Sequence, residues 1–133
     1  MTGATILYVE DNEDNAYMLS RRLTRRGYKV VVATDGSAGV DKARELNPDL
    51  ILMDLNLPVM DGWTATKKLR DTTSTNSIPI IVVSSHALPG ERENALEAGC
   101  DEYETKPIDF ESLLSKIHQL LAETTWLHFS KSF

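Results

Sequence analysis

The chain has 133 residues, 41% hydrophobic and 26% charged, enough for one domain that buries most of its apolar surface without disulfides. Its formal charge of −6 works against nonspecific binding to nucleic acid phosphates, and no run approaches the roughly 20 apolar residues that span a bilayer. The start, Met1-Thr2-Gly3-Ala4, lacks the basic stretch of a signal peptide and the lone Cys100 has no internal partner, so a reducing, cytoplasmic setting is expected.

In chain order, apolar runs alternate with helical patterns. Thr5 to Val9 is a strand, followed by a helix over Asp14 to Arg26 with Ala16, Leu19 and Leu23 on one face and Gly27 as its stop. Lys29 to Ala33 is the second strand, and Ser37 to Leu46 the second helix, ending before Asn47-Pro48. Leu50 to Met53 is the third strand. The helix from Met60 to about Arg70 then gives way to the polar stretch Asp71-Thr72-Thr73-Ser74-Thr75-Asn76-Ser77. Ile78 to Val83 is the fourth strand, Pro89 to Ala98 a marginal helix poor in apolar residues, and Glu102 to Glu104 a weaker fifth strand. Phe110, Leu113, Leu114, Ile117, Leu120 and Leu121 form the clearest helical stripe, with Asp109 as its N-cap.

The first, third and fourth strands are almost continuous in Ile, Leu and Val, the pattern of strands buried on both faces of a parallel sheet. Strict alternation of five strands and five helices predicts an α/β fold, a three-layer, doubly wound parallel sheet with right-handed crossovers. Residues 1–123 form the expected domain. The segment 124–133 carries Trp126, Leu127, Phe129 and Phe133 beyond the last predicted helix, where it packs locally, serves a partner, or is foreign to the natural chain.

Ligands of open parallel sheets gather outside the carboxyl ends of the strands. Glu10, Asp11, Asp54, Ser84 and Lys106 are all expected there. Singly, each acid reads as a loop residue or helix cap, Lys106 as a solvated lysine and Ser84 as a loop serine. Together, three converging carboxylates make a hard-oxygen site suited to Mg²⁺.

The stretches Ile6-Leu7-Tyr8-Val9-Glu10-Asp11-Asn12, Asp54-Leu55-Asn56-Leu57-Pro58-Val59-Met60-Asp61-Gly62, Pro79-Ile80-Ile81-Val82-Val83-Ser84 and Tyr103-Glu104-Thr105-Lys106-Pro107 resemble the receiver domain of bacterial two-component response regulators, over about residues 4 to 122. The resemblance implies a flavodoxin-like strand order, 2-1-3-4-5. It implies that Asp54 is the phosphoacceptor, and that Asp11, Asp54 and the backbone carbonyl of Asn56 ligate Mg²⁺, with Mn²⁺ as a substitute. Glu10 stands where a second Asp is usual, and its extra methylene implies contact with the ion through a water. Lys106 would clamp a phosphoryl oxygen, its direction fixed by a cis bond to Pro107. Ser84 and Tyr103 would form the switch pair, while Asn56 and His86 would tune dephosphorylation.

A partner histidine kinase or histidine phosphotransfer protein would donate the phosphoryl group. A protein target would then read the face of the fourth helix, fifth strand and fifth helix. A monomer or weak dimer is expected, with no direct contact to nucleic acid or membrane. Three other readings share parts of this pattern. A flavodoxin-like carrier would need a Ser/Thr-rich, Gly-containing loop after the first strand, where Glu10-Asp11-Asn12-Glu13-Asp14 stands instead. A haloacid-dehalogenase-type phosphohydrolase would need an acid two residues after Asp54, where Asn56 supplies an amide that cannot shuttle protons. The chain could also be a receiver fragment of a larger regulator or hybrid kinase, although its start at Met1 and the dozen residues after Leu121 favour a stand-alone domain.

Overall fold

The computed structural model describes residues 3–85 and 88–131, with side chains described up to residue 123. Five strands, β1 (Thr5–Val9), β2 (Lys29–Ala33), β3 (Leu50–Asp54), β4 (Ile80–Ser84) and β5 (Glu102–Thr105), alternate with α1 (Glu13–Arg25), α2 (Gly36–Leu46), α3 (Gly62–Asp71), α4 (Glu91–Ala98) and α5 (Phe110–Lys131). All pairings are parallel, in the order β2-β1-β3-β4-β5. This is the expected doubly wound sheet.

Alternation along each strand sorts the core into two layers. Leu7, Val9, Ile51, Met53, Ile80 and Val82 face α2, α3 and α4, whereas Ile6, Tyr8, Leu50, Leu52 and Ile81 face α1 and α5. β3 and β4 are buried at every position, which explains the apolar runs Leu50 to Met53 and Ile80 to Val83 that precede their polar last residues.

Short polar side chains set most helix starts. Asn12 accepts from the Asn15 amide at 2.9 Å, Asp35 from Ala38 at 2.7 Å, Asp61 from Thr64 at 2.8 Å and Asp109 from Ser112 at 3.2 Å. The Asp61 cap places the start of α3 at Gly62 rather than at Met60. Before it, Val59 adopts φ 68° and the Met60 amide donates to the Pro58 carbonyl at 2.7 Å, a γ-turn that no helix can include. Asp54 and Ser84 are the last residues of their strands, not the first residues of loops. The last helix is longer than its apolar stripe predicted, running through Lys131. Among the described residues, no helix is long and apolar enough to cross a membrane.

Candidate functional site

The sheet order places the switch point between β1 and β3, where successive crossovers leave in opposite directions. Register pairs Val9 with Met53, so the next residues, Glu10 and Asp54, emerge level with each other. Glu10 is 1% exposed and Asp54 3%, while Asp11 is exposed. Glu10, Asp11 and Asp54 each offer an oxygen within 4.8 Å of the others. The sequence-predicted acids therefore meet.

Lys106 arrives from the far edge of the sheet. Its amide donates to the Ser84 carbonyl at 2.8 Å, and the Lys106–Pro107 peptide bond is cis. Its ammonium lies 2.7 Å from Glu10 Oε1 and 2.7 Å from Asp54 Oδ2. Burial disfavours that charge, but hydrogen bonds and attraction from Asp54 and Glu10 outweigh burial and raise the lysine pKa above its ordinary value. Asp54 Oδ1 also accepts from the Asn56 amide at 2.9 Å, whereas the Asn56 side chain is exposed. Three carboxylates against one ammonium carry a formal charge of −2, which one divalent cation would balance. An all-oxygen donor set suits Mg²⁺ or Mn²⁺, so the residues present fit such an ion.

The loop after β3 sits tightly beneath Asp54. A Cβ on Gly62 would lie 2.2 Å from the Asp54 carbonyl oxygen, and one on Gly36 would lie 1.8 Å from that of Met60. Only hydrogen fits at these positions, so Gly62 lets the loop lie against the end of β3 and Gly36 lets it lie against the start of α2.

Ser84 is 1% exposed at the end of β4, and Tyr103 is 8% exposed beside it on β5. The Tyr103 hydroxyl donates to Glu91 at the start of α4. Burial and the Glu91 hydrogen bond raise the phenol pKa, while a hydrogen bond with Ser84 opposes the rise. Ser84, Tyr103 and α4 thus form one connected group. His86 lies outside the described residues.

Two partners were not predicted from sequence. Glu91 binds Tyr103 across helix and strand, a contact that no local pattern announces. Tyr8, 1% exposed, donates from its hydroxyl to Glu10 Oε1 at 3.1 Å. Burial, then the Glu10 charge and hydrogen bond and the Asp54 charge, push its pKa far above the ordinary phenol value. A signal for Tyr8 existed, since residues two apart on extended chain share a face. Tyr8 and Lys106 also line a cavity of about 280 Å³ formed with Asn15, Met18, Arg22 and Ile108.

The family described as the response regulator receiver domain matches residues 6–118. The chain is 35% identical over 119 residues to the polar-differentiation response regulator DivK of Brucella ovis, covering 90% of this chain and 97% of DivK. It is 38% identical over 118 residues to the response regulator PleD of Caulobacter vibrioides, covering 89% of this chain but only 26% of PleD. Among solved structures, it resembles the receiver domain of the sensor histidine kinase PA1611 from Pseudomonas aeruginosa, which holds a coordinated magnesium ion. That likeness has TM-score 0.84 and 37% identity, covering 91% of this chain and 99% of that one. The receiver domain of Francisella response regulator 1452 superposes with TM-score 0.86 at 25% identity, covering 92% of this chain and 99% of that one. Strand order, site and sequence agree: the chain belongs to the response regulator receiver domain family of two-component signalling.

Proposed function

We propose that this domain is a phosphorylation-dependent switch that accepts a phosphoryl group on Asp54 from a phosphohistidine of a kinase or phosphotransfer protein. The observation that carries this reading is the placement of Asp54 between a cation-suited acid cluster and the Lys106 ammonium. An Asp54 carboxylate oxygen attacks phosphorus, the P–N bond to the partner's histidine breaks, and the imidazole leaves with the electron pair. Lys106 then moves from Asp54 to a phosphoryl oxygen, and Ser84 donates to another. A bound Mg²⁺ neutralises charge on the phosphoryl oxygens; Asp11, Asp54, the Asn56 carbonyl and Glu10, through a water, would hold it.

The new group brings up to two negative charges and three acceptor oxygens. Drawing Ser84 and Lys106 towards it disturbs the Ser84–Tyr103–Glu91 group, and with it the surface of α4, β5 and α5. A protein target reads that change as a shift between two states. Asn56 offers an amide where an enzyme of rapid turnover would need an acid, which favours a switch over a phosphohydrolase. The 37% identity to the receiver of a sensor histidine kinase favours a second reading, that the same switch serves as one part of a larger regulator or hybrid kinase.

Incubation with acetyl phosphate and Mg²⁺ should add one phosphoryl group to the chain, and Asp54→Asn should abolish it. Undiminished labelling of Asp54→Asn would refute the acceptor assignment.

A further inference from the structure

We propose that the Tyr8 hydroxyl is a positioning group for the cation site, holding Glu10 Oε1 on the Lys106 side and leaving Oε2 for an ion or its water. The inference rests on the reading of the acidic cluster as a divalent-cation site.

Glu10 carries one methylene more than aspartate, hence one more rotatable bond, in a position 1% exposed to solvent. Something must choose its orientation. Its Oε1 takes the Lys106 ammonium at 2.7 Å and the Tyr8 hydroxyl at 3.1 Å. Its Oε2 accepts a longer bond, 3.3 Å, from the Asn12 amide. Oε1 is thereby committed to the lysine side, and Oε2 keeps lone-pair capacity for an ion or its water. The phenol itself has little freedom: Tyr8 is 1% exposed and packs in the same core layer as Leu19, Leu52 and Leu113.

Tyr8 also bears on the phosphorylated state. When Lys106 leaves for a phosphoryl oxygen, Glu10 Oε1 would lose the one cationic side chain that pairs with it among the described residues. The hydroxyl remains and keeps the buried carboxylate hydrogen-bonded, which lowers the cost of releasing the lysine.

The test is a double-mutant cycle read by Mg²⁺ dissociation constants, without any phosphodonor, on the unaltered chain, Tyr8→Phe, Glu10→Asp and the double variant. Calorimetry measures binding, and thermal midpoints verify that each variant is folded. Hydrogen-bond partners of direct metal ligands are worth about 10–100-fold in affinity; Tyr8 acts one shell further out, through Glu10 and a water, so Tyr8→Phe should weaken Mg²⁺ by several-fold, up to about tenfold. In the Glu10→Asp background the shortened carboxylate withdraws from the phenol, so the same change should alter affinity by less than about twofold. An unchanged constant in Tyr8→Phe, or an equal loss in both backgrounds, would overturn the assignment while leaving the phosphoacceptor reading intact. Failure of the unaltered chain to bind Mg²⁺ would overturn both.

Discussion

At the scale of single residues, the balance among Tyr8, Glu10, Asp54 and Lys106 decides what each can do. Two buried carboxylates share one ammonium, and removing that ammonium would leave them facing each other across low-dielectric protein. The same coupling makes the fold sensitive to alkali. Tyr8 and Lys106 have ordinary pKa values of 10.0 and 10.5, and both are raised in the folded chain. The folded state therefore holds protons that the unfolded chain gives up. Their contribution is complete below those ordinary values and is lost as pH rises above them. Denaturation midpoints measured from neutral to alkaline pH should fall once pH exceeds about 10, and Tyr8→Phe should flatten that fall. Parallel profiles would contradict the assignment of the phenol proton.

At the scale of elements, the loop between β3 and α3 combines a strained residue with a crowded one. Val59 holds φ 68°, a region costing a side-chain-bearing residue about 1–2 kcal/mol, while it is 84% exposed and packs little. Val59→Gly should therefore leave stability unchanged or raise it by up to about 1 kcal/mol, strain relief being offset by the entropy of glycine. Gly62→Ala should act oppositely, because its Cβ would sit 2.2 Å from the Asp54 carbonyl oxygen. A loss of about 1–3 kcal/mol is expected, with slower phosphorylation as Asp54 shifts. Urea denaturation of the two variants checks both signs.

This loop also shows where sequence patterns stop being informative. The caps at Asn12, Asp35, Asp61 and Asp109 are local, so most helix starts are legible within a residue or two. Met60 belongs to an apolar pattern, yet the positive φ of Val59 excludes it from α3. Arg70 was equally hidden. From α3 it donates to the carbonyls of Gly99 at 2.7 Å and Ile78 at 2.6 Å, and to Asp101 at 2.7 Å, tying three segments together. Such contacts depend on how helices lie across the sheet, which periodicity does not specify.

At the scale of the whole molecule, the architecture was legible because buried parallel strands leave a clear mark, nearly continuous runs of Ile, Leu and Val, two of which lead into the acids Glu10 and Asp54. Convergence of Glu10, Asp54 and Lys106 followed from that architecture. The Glu91–Tyr103 bond did not, since it joins groups whose meeting is set by tertiary packing, whereas the Tyr8–Glu10 pair was open to the two-residue spacing of extended chain. Because the clustered acids come from separate strands, an ion held by all of them would bind the folded chain and not the unfolded one. Saturating Mg²⁺ should therefore stabilise the fold, by about 2.7 kcal/mol at a hundredfold excess over the dissociation constant. Denaturation with Mg²⁺ and with chelator measures this, and Asp11→Asn should remove most of the difference.

The most direct measurement is the location of the phosphoryl group after treatment with acetyl phosphate and Mg²⁺. Borohydride converts an aspartyl phosphate to homoserine, which peptide mass spectrometry can assign to one position. Homoserine at Asp54 alone, dependent on Mg²⁺, is the predicted result; homoserine at Asp11, hydroxynorvaline at Glu10, or conversion of Asp54 irrespective of the ion would contradict it.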